Sequence, residues 1–416
     1  MGYIRSRSAA TPFRRAFVST PGPRPSVTQA VAQWRPEDPM HCVRPAVLAA
    51  TARRFVSAFD QAVGGKTLYA VKCNPEPAAL RALWDGGVRH FDVASIGEVR
   101  LVRQMFPQAI LHFMHPVKAR SAIREAYFQH EVRDFVLDSA EELEKIVEET
   151  GSARDLGLIV RLALPKGAAV YDLSGKFGAP AAEAVDLLRA ARGLSKKIGV
   201  SFHVGSQMLE PAAYERALVL AGAVIAESGV AVDVIDVGGG FPVAYPGQTP
   251  PPLGDFMAAI ARGVAAQGFG DDVEIWCEPG RALVAAGASI VVQVMKRKGD
   301  VLYINDGVYG GLSDAGAAVG FCFPTRLVRP EGGVQAEDEI GFSFYGPTCD
   351  SADFMKGPFM LPADVKAGDW IEIGQLGAYG ACLRTAFNGF DQARLVEVCD
   401  PPLLETPGHE IESRAA

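Results

Sequence analysis

The sequence predicts an α/β protein: an eight-stranded parallel β/α barrel followed by a C-terminal antiparallel β domain. Three observations carry this reading. Eight short runs rich in Val, Ile, Leu or Phe fall at residues 67–71, 89–93, 109–114, 133–137, 157–163, 198–203, 233–237 and 273–277. Each is separated from the next by room for one helix, the spacing of repeated β/α units. After about residue 285 the pattern changes to alternating strands, as in residues 291–296, 300–305, 370–373 and 395–398.

Helical periodicity fills the gaps. In residues 140–149 the apolar positions Leu143, Ile146 and Val147 follow the i, i+3, i+4 rule. Residues 37–285 are thus expected to form the barrel and 286–416 the β domain, with the segment around Met40–Val43 adding a strand to the latter. Residues 1–36 differ. They carry six arginines, no acids and a Pro-rich patch at 21–25. A transit peptide would look similar, but no amphipathic face is well defined there, so a disordered extension is expected.

Composition excludes several classes. The 416 residues exceed one ordinary domain. A net charge of −7 argues against nucleic acid as the main partner. No apolar stretch is long enough to span a bilayer. The seven cysteines are scattered without a CxxC pair, so neither a disulfide framework nor a metal site is expected. That usage fits a reducing, cytoplasmic setting.

Active sites in β/α barrels lie at the carboxyl ends of the strands. The residues there are Lys72, Asp92, His115, Asp138, Arg161, His203, Gly238 and Glu278. Lys72 ends an apolar run, where an ammonium half out of water loses its proton easily and can act as a Schiff-base nucleophile. A snorkelling lysine would occupy the same place. Gly238, Gly239 and Gly240 let backbone N–H groups approach a phosphate, or simply make a tight turn. Glu278, followed by Gly280 and Arg281, either faces a heteroaromatic nitrogen with a phosphate nearby or caps the barrel as a buried ion pair. His203 is a structural imidazole or, beside a planar cofactor, a stacking partner, with Ser206 in reach of the phosphate. Lysine, histidine, glycine loop and glutamate at one barrel end together fit pyridoxal 5′-phosphate: an aldehyde needs an amine, a phosphate needs N–H groups and a cation, and a ring nitrogen needs a carboxylate.

Residues 69–74 (YAVKCN), 203–207 (HVGSQ), 236–242 (DVGGGFP), 278–281 (EPGR), 305–309 (NDGVY), 346–350 (GPTCD) and 377–379 (GAY) resemble, in family order, the motif set of the fold-type III decarboxylases, especially the ornithine and ornithine/lysine decarboxylases. The resemblance covers about residues 39–400. It implies that Lys72 bonds the cofactor aldehyde, Glu278 holds the pyridine nitrogen and His203 stacks on the ring. Ser206, Gly238, Gly239, Gly240, Gly280, Arg281 and Tyr379 would hold the phosphate. Asp92, Glu98 and Arg161 would shape the lysine and ring environment. It further implies a homodimer with active sites shared across subunits, in which Cys349 helps protonate Cα and Asp350, with Tyr309, binds the distal amine. Without that context Cys349 is equally a core thiol.

An aspartate after the cysteine suits a cationic distal group, so a diamino acid is expected: L-ornithine giving putrescine, with L-lysine giving cadaverine also open. Diaminopimelate enzymes typically carry Glu-Ser there. One departure stands out. The family's second acidic residue, in a Tyr-Asp-His element after the 305–309 motif, is missing from residues 310–318, and Asp314 is the candidate replacement. Two other classes compete. A racemase usually pairs the ring nitrogen with arginine, and Glu278 argues against that. A non-catalytic relative would have lost the lysine, glutamate or cysteine, and all three are present.

Overall fold

Eight parallel strands close on themselves in the computed structural model, which describes residues 16–18, 23–165, 175–332 and 335–410. They are Lys66–Ala70, His90–Val93, Ile110–Phe113, Asp134–Leu137, Gly157–Arg161, Lys197–Ser201, Val234–Asp236 and Glu274–Cys277, the last pairing back onto the first. All eight overlap the strands expected from sequence. Helices return the chain between them. Ser95 and Ser139 cap Ile96–Met105 and Ala140–Glu149 by accepting the N–H groups of Glu98 and Glu142. Leu143 and Ile146 are buried, as their spacing requires.

Alternation along each strand divides the barrel interior into layers. At the floor, His90 Nδ1 lies 3.0 Å from His112 Nε2. His112 Nδ1 and Lys197 Nζ each lie 2.9 Å from an Asp134 oxygen. Lys66 pairs with Glu274. Two residues further along most strands, Leu68, Met114, Val136, Ile159, Val234 and Trp276 form a dry middle layer. Two residues further again, Asp138, Arg161, Asp236 and Glu278 stand at the strand ends. The middle layer thus shields the mouth from the floor.

The second domain is a nine-stranded sheet built on Ala288–Lys298, which pairs antiparallel with Met40–Val43, Val301–Ile304 and Trp370–Ile373. The sheet is mixed. Five of its pairings are antiparallel, while Ala16–Val18 on Arg394–Glu397, Arg394–Glu397 on Met40–Val43, and Val301–Ile304 on Glu339–Tyr345 are parallel. Two of the parallel pairs arise because strands from both ends of the chain meet in one sheet; the third joins two strands within the C-terminal domain. Buried Arg44 ties the domains by bonding Glu372, Ser289 and the carbonyl of Asp400.

The N-terminal expectation needs correction. Val27–Trp34 is a helix with a Ser26/Gln29 capping box. Val27, Ala30 and Val31 are buried against Met40, Val291, Trp370 and Val396. An i, i+3, i+4 stripe was present, but the neighbouring arginines and prolines masked it. Residues 1–15 and 19–22 lie outside the described residues. Among the described helices none is long and apolar enough to cross a membrane.

The floor makes a pH prediction. Burial, with His112 and Lys66 nearby, pushes the His90 imidazole down to about 3 from 6.5. The unfolded chain therefore takes up a proton that the folded one refuses, and stability is lost as pH falls from about 6.5 towards 3. In Asp134, burial opposes the charge but His112 and Lys197 outweigh it and hold the carboxyl at about 2, so it acts only at lower pH. His90→Gln should lose about 2 kcal/mol less unfolding free energy than wild type between about pH 7 and pH 5. Equal losses in denaturant titrations would contradict this.

Candidate active site

The strand Lys66–Ala70 leaves the barrel through a short 3₁₀ turn, Val71–Cys73, that carries Lys72. Its neighbours fix that turn. The Tyr69 hydroxyl donates to the Asn74 carbonyl at 3.0 Å, Asn74 Nδ2 donates to the Gly377 carbonyl at 2.8 Å, and the Tyr379 N–H donates to the Cys73 carbonyl at 3.0 Å. Residues 69–74 and 377–379 are thus one structural unit. Lys72 Nζ lies 2.7 Å from Asp92 Oδ2, and Asp92 is buried at the end of the adjacent strand. Burial opposes the Lys72 charge, but Asp92, Glu278 and Tyr379 outweigh it and hold the amine above the usual lysine range. The side chain is still 43 % accessible, which leaves Nζ open to the mouth. Beside the pair, burial lifts the Glu98 carboxyl to about 7, although it accepts the Ala94 N–H at 2.7 Å.

Glu278 and Asp236 end neighbouring strands and are both buried. Burial first, then Asp236 and Asp92, lift Glu278 well above the carboxylate range. Besides each other, Glu278 Oε1 and Asp236 Oδ2 have no hydrogen-bond partner among the described residues. A buried carboxyl oxygen without a donor is costly and marks a place for a ligand N–H. His203 follows the sixth strand. Burial, with Arg161 and Lys72 nearby, holds its ring well below the ordinary range, so it is neutral, and Nδ1 accepts the Gly205 N–H at 3.0 Å.

The glycine loop lies flat between these ends. Gly238 has φ +69° and Gly240 φ +104°. A Cβ on Gly238 would sit 2.0 Å from the Phe202 carbonyl oxygen, and one on Gly240 2.4 Å from that of Gly205. A Cβ on Gly239 would press on the Glu278 carbonyl and the His203 ring, and one on Gly280 on Cys73. With no Cβ at these positions, the backbone of Gly238–Gly240 packs directly on Phe202, His203, Gly205 and Glu278, and that of Gly280 on Cys73. Arg281, which follows, is buried with Nη1 2.7 Å from the Tyr245 hydroxyl and Nη2 2.9 Å from Asp314 Oδ2. Its guanidinium lies 5.1 Å from the Tyr379 ring.

The residues expected to meet the distal end of a substrate are elsewhere. Asp350 accepts the Tyr309 hydroxyl, which holds its carboxyl below the ordinary range. Cys349 is exposed, its N–H donating to Asn388 Oδ1 at 3.0 Å. Asp353 gathers the N–H groups of Val308 and Thr348, fixing residues 346–353 against 306–309. Among the described contacts none joins Cys349 or Asp350 to Lys72 within one chain. Asp314 departs from expectation: it pairs with Arg281 and is not a free carboxylate beside Asp350. The reason is local, because the 3₁₀ turn Ser313–Ala315 carries Asp314 to within hydrogen-bond reach of Arg281. Sequence reading gave no role to Asp236, although strand alternation points it inward, or to Tyr245, for which no signal existed.

Comparisons with known proteins agree with this geometry. Residues 48–285 match the family model of the pyridoxal-dependent decarboxylase pyridoxal binding domain. The chain is 33 % identical over 364 residues to the lysine/ornithine decarboxylase of Selenomonas ruminantium, covering 84 % of this chain and 88 % of that protein. Among solved structures it resembles the Vibrio vulnificus lysine/ornithine decarboxylase complexed with cadaverine (TM-score 0.75, 30 % identity, 90 % and 98 % coverage). It is also similar to the Paramecium bursaria Chlorella virus arginine decarboxylase bound to agmatine (TM-score 0.77, 27 % identity, 89 % and 99 % coverage).

The loop geometry can be tested alone. Gly238→Ala places a side chain at positive φ against a carbonyl oxygen and should destabilise the fold by about 1–3 kcal/mol in denaturant unfolding. An unchanged midpoint would show that the loop adapts freely.

Proposed function

The chain belongs to the fold-type III pyridoxal-phosphate-dependent decarboxylases of the ornithine decarboxylase family, and from that premise we propose that it converts L-ornithine to putrescine, with L-lysine to cadaverine as a second reaction of the same site. The observation that carries this reading is the mouth that joins the Lys72–Asp92 pair to the Glu278 oxygen with no donor besides Asp236. The residues fit pyridoxal 5′-phosphate. Lys72 offers an accessible amine, Glu278 Oε1 has no donor besides the neighbouring Asp236 carboxyl, and Gly238 and Gly240 turn the 238–240 loop at positive φ next to His203.

When bound, the cofactor supplies an electron-withdrawing ring next to the substrate Cα. The chain does the rest. Asp92 holds the Lys72 ammonium at the end of the adjacent strand and so fixes where the side chain enters the mouth. Glu278 would hold the ring nitrogen, in a buried setting that strengthens such a contact. His203, neutral, would lie against the ring without adding a charge. Glycines 238–240 and 280, with Ser206, Arg281 and Tyr379, would hold the phosphate, while Arg161 lowers the cost of the clustered carboxylates.

The distal subsite is assembled by two copies of the chain as a homodimer. Cys349, exposed, and Asp350, half-buried, lie on the β domain and reach the Lys72 mouth of a second copy. Asp350, held ionised by Tyr309, meets the distal ammonium through a charge-assisted contact worth about 1.5–3 kcal/mol. Carbon dioxide leaves with cleavage of the Cα–carboxylate bond, the electron pair stays at Cα, and Cys349 delivers the proton that completes the diamine.

Carbon dioxide release should be fastest from ornithine or lysine when these are compared with arginine and meso-diaminopimelate. A preference for diaminopimelate would overturn the substrate. Asp350→Ala should raise KM for the diamino acid about ten-fold or more, with cofactor binding unchanged. Lys72→Ala and Asp350→Ala are each expected to be severely impaired, yet mixing them should restore part of the activity through shared sites. No recovery in verified mixed dimers would exclude the shared site.

A further inference from the structure

We infer that Asp314 and Tyr245 are positioning residues for Arg281, holding its guanidinium in one orientation on the phosphate side of the mouth, and that Asp314 takes no part in reading the substrate. This rests on the pyridoxal-phosphate reading above. Both terminal nitrogens of Arg281 are anchored, Nη1 to the Tyr245 hydroxyl at 2.7 Å and Nη2 to Asp314 Oδ2 at 2.9 Å. Nε is buried and has no partner among the described residues. The Phe321 and Tyr379 rings each lie 5.1 Å from the guanidinium carbon.

The anchors are themselves fixed. The Asp314 carbonyl accepts the Phe321 N–H at 2.9 Å, so that turn and that ring are tied together. Tyr245 stacks on Phe321 at 4.4 Å and meets Phe323 edge-on at 5.3 Å. The preceding residue, Ala244, is held on both sides by Thr406 and Gln375. Tyr245 continues the segment that begins with the glycine loop, and Tyr379 is bonded to the turn carrying Lys72. Arg281 is therefore indexed to the phosphate loop through Tyr245 and to the lysine through Tyr379. A guanidinium already fixed loses little freedom when an anion arrives. Segment 310–323, which lacks the family's acidic element, instead builds this cage.

Two effects oppose each other in Asp314→Asn. Loss of the carboxylate frees positive charge, which favours a phosphate, while loss of the anchor lets the guanidinium turn. Tyr245→Phe changes no charge and isolates orientation. The full-length protein, freed of cofactor, is titrated with pyridoxal 5′-phosphate and separately with pyridoxal, following the visible absorption of the lysine imine. Tyr245→Phe should weaken pyridoxal-phosphate binding about ten-fold, and Asp314→Asn by a smaller factor, with pyridoxal binding unchanged in both. A general structural defect would move both ligands and overturn the inference. So would unchanged or tighter pyridoxal-phosphate binding in both variants, or a rise in KM for the diamino acid at saturating cofactor in Asp314→Asn. If Asp314→Asn fails to fold, Tyr245→Phe and Phe321→Leu decide by the same ratio. Wild type forming no imine defeats the proposed function and this inference together; wild-type imine with unmoved variants defeats this inference alone.

Discussion

Strand alternation inside a closed barrel is the constraint on which the rest of this structure depends. Successive side chains point to opposite faces, so each strand sends every second residue inward. Here that rule stacks a polar floor, a dry middle layer of Leu68, Met114, Val136, Ile159, Val234 and Trp276, and a polar mouth. The middle layer separates two charged networks. It keeps Asp134 and Lys197 from answering the carboxylates above, so Asp92, Asp236 and Glu278 must find their cations at the mouth. Lys72 and Arg161 are those cations, and oxygens of Asp92, Asp236 and Glu278 remain without a donor from outside the carboxylate cluster.

Much of this was legible because the barrel repeats one short pattern eight times. Each strand is a compact apolar run, so its end and the residue standing there could be read directly. The β domain was harder. Ala288–Lys298 and Val301–Ile304 announced themselves by alternation, but Glu339–Tyr345 and Phe354–Pro362 did not. Gly341, Gly357 and Pro358 interrupt those two strands, and sequence rules read such residues as breaks. The helix Val27–Trp34 was hidden for a different reason: its buried stripe is short, and only the sheet it covers makes it worthwhile.

The site divides in the same way. Lys72, His203, Glu278 and the glycine loop are local signals at strand ends. The Arg281 cage is not, because its partners come from residues 36 and 33 positions away and meet only after folding. Asp314 shows the hazard of assigning a role by filling a gap in a motif. A carboxylate near an arginine in space answers that arginine before it answers a distant ligand. Cys349 and Asp350 show the converse: a local motif names them, yet among the described contacts none joins either to Lys72 within one chain.

The central claim is that the Lys72 amine is the covalent anchor of the cofactor. Borohydride reduction of the purified protein followed by peptide mapping tests it most directly. The account predicts a single pyridoxyl label on Lys72, in the peptide spanning residues 69–74. A label on another lysine, or none at all, would contradict it.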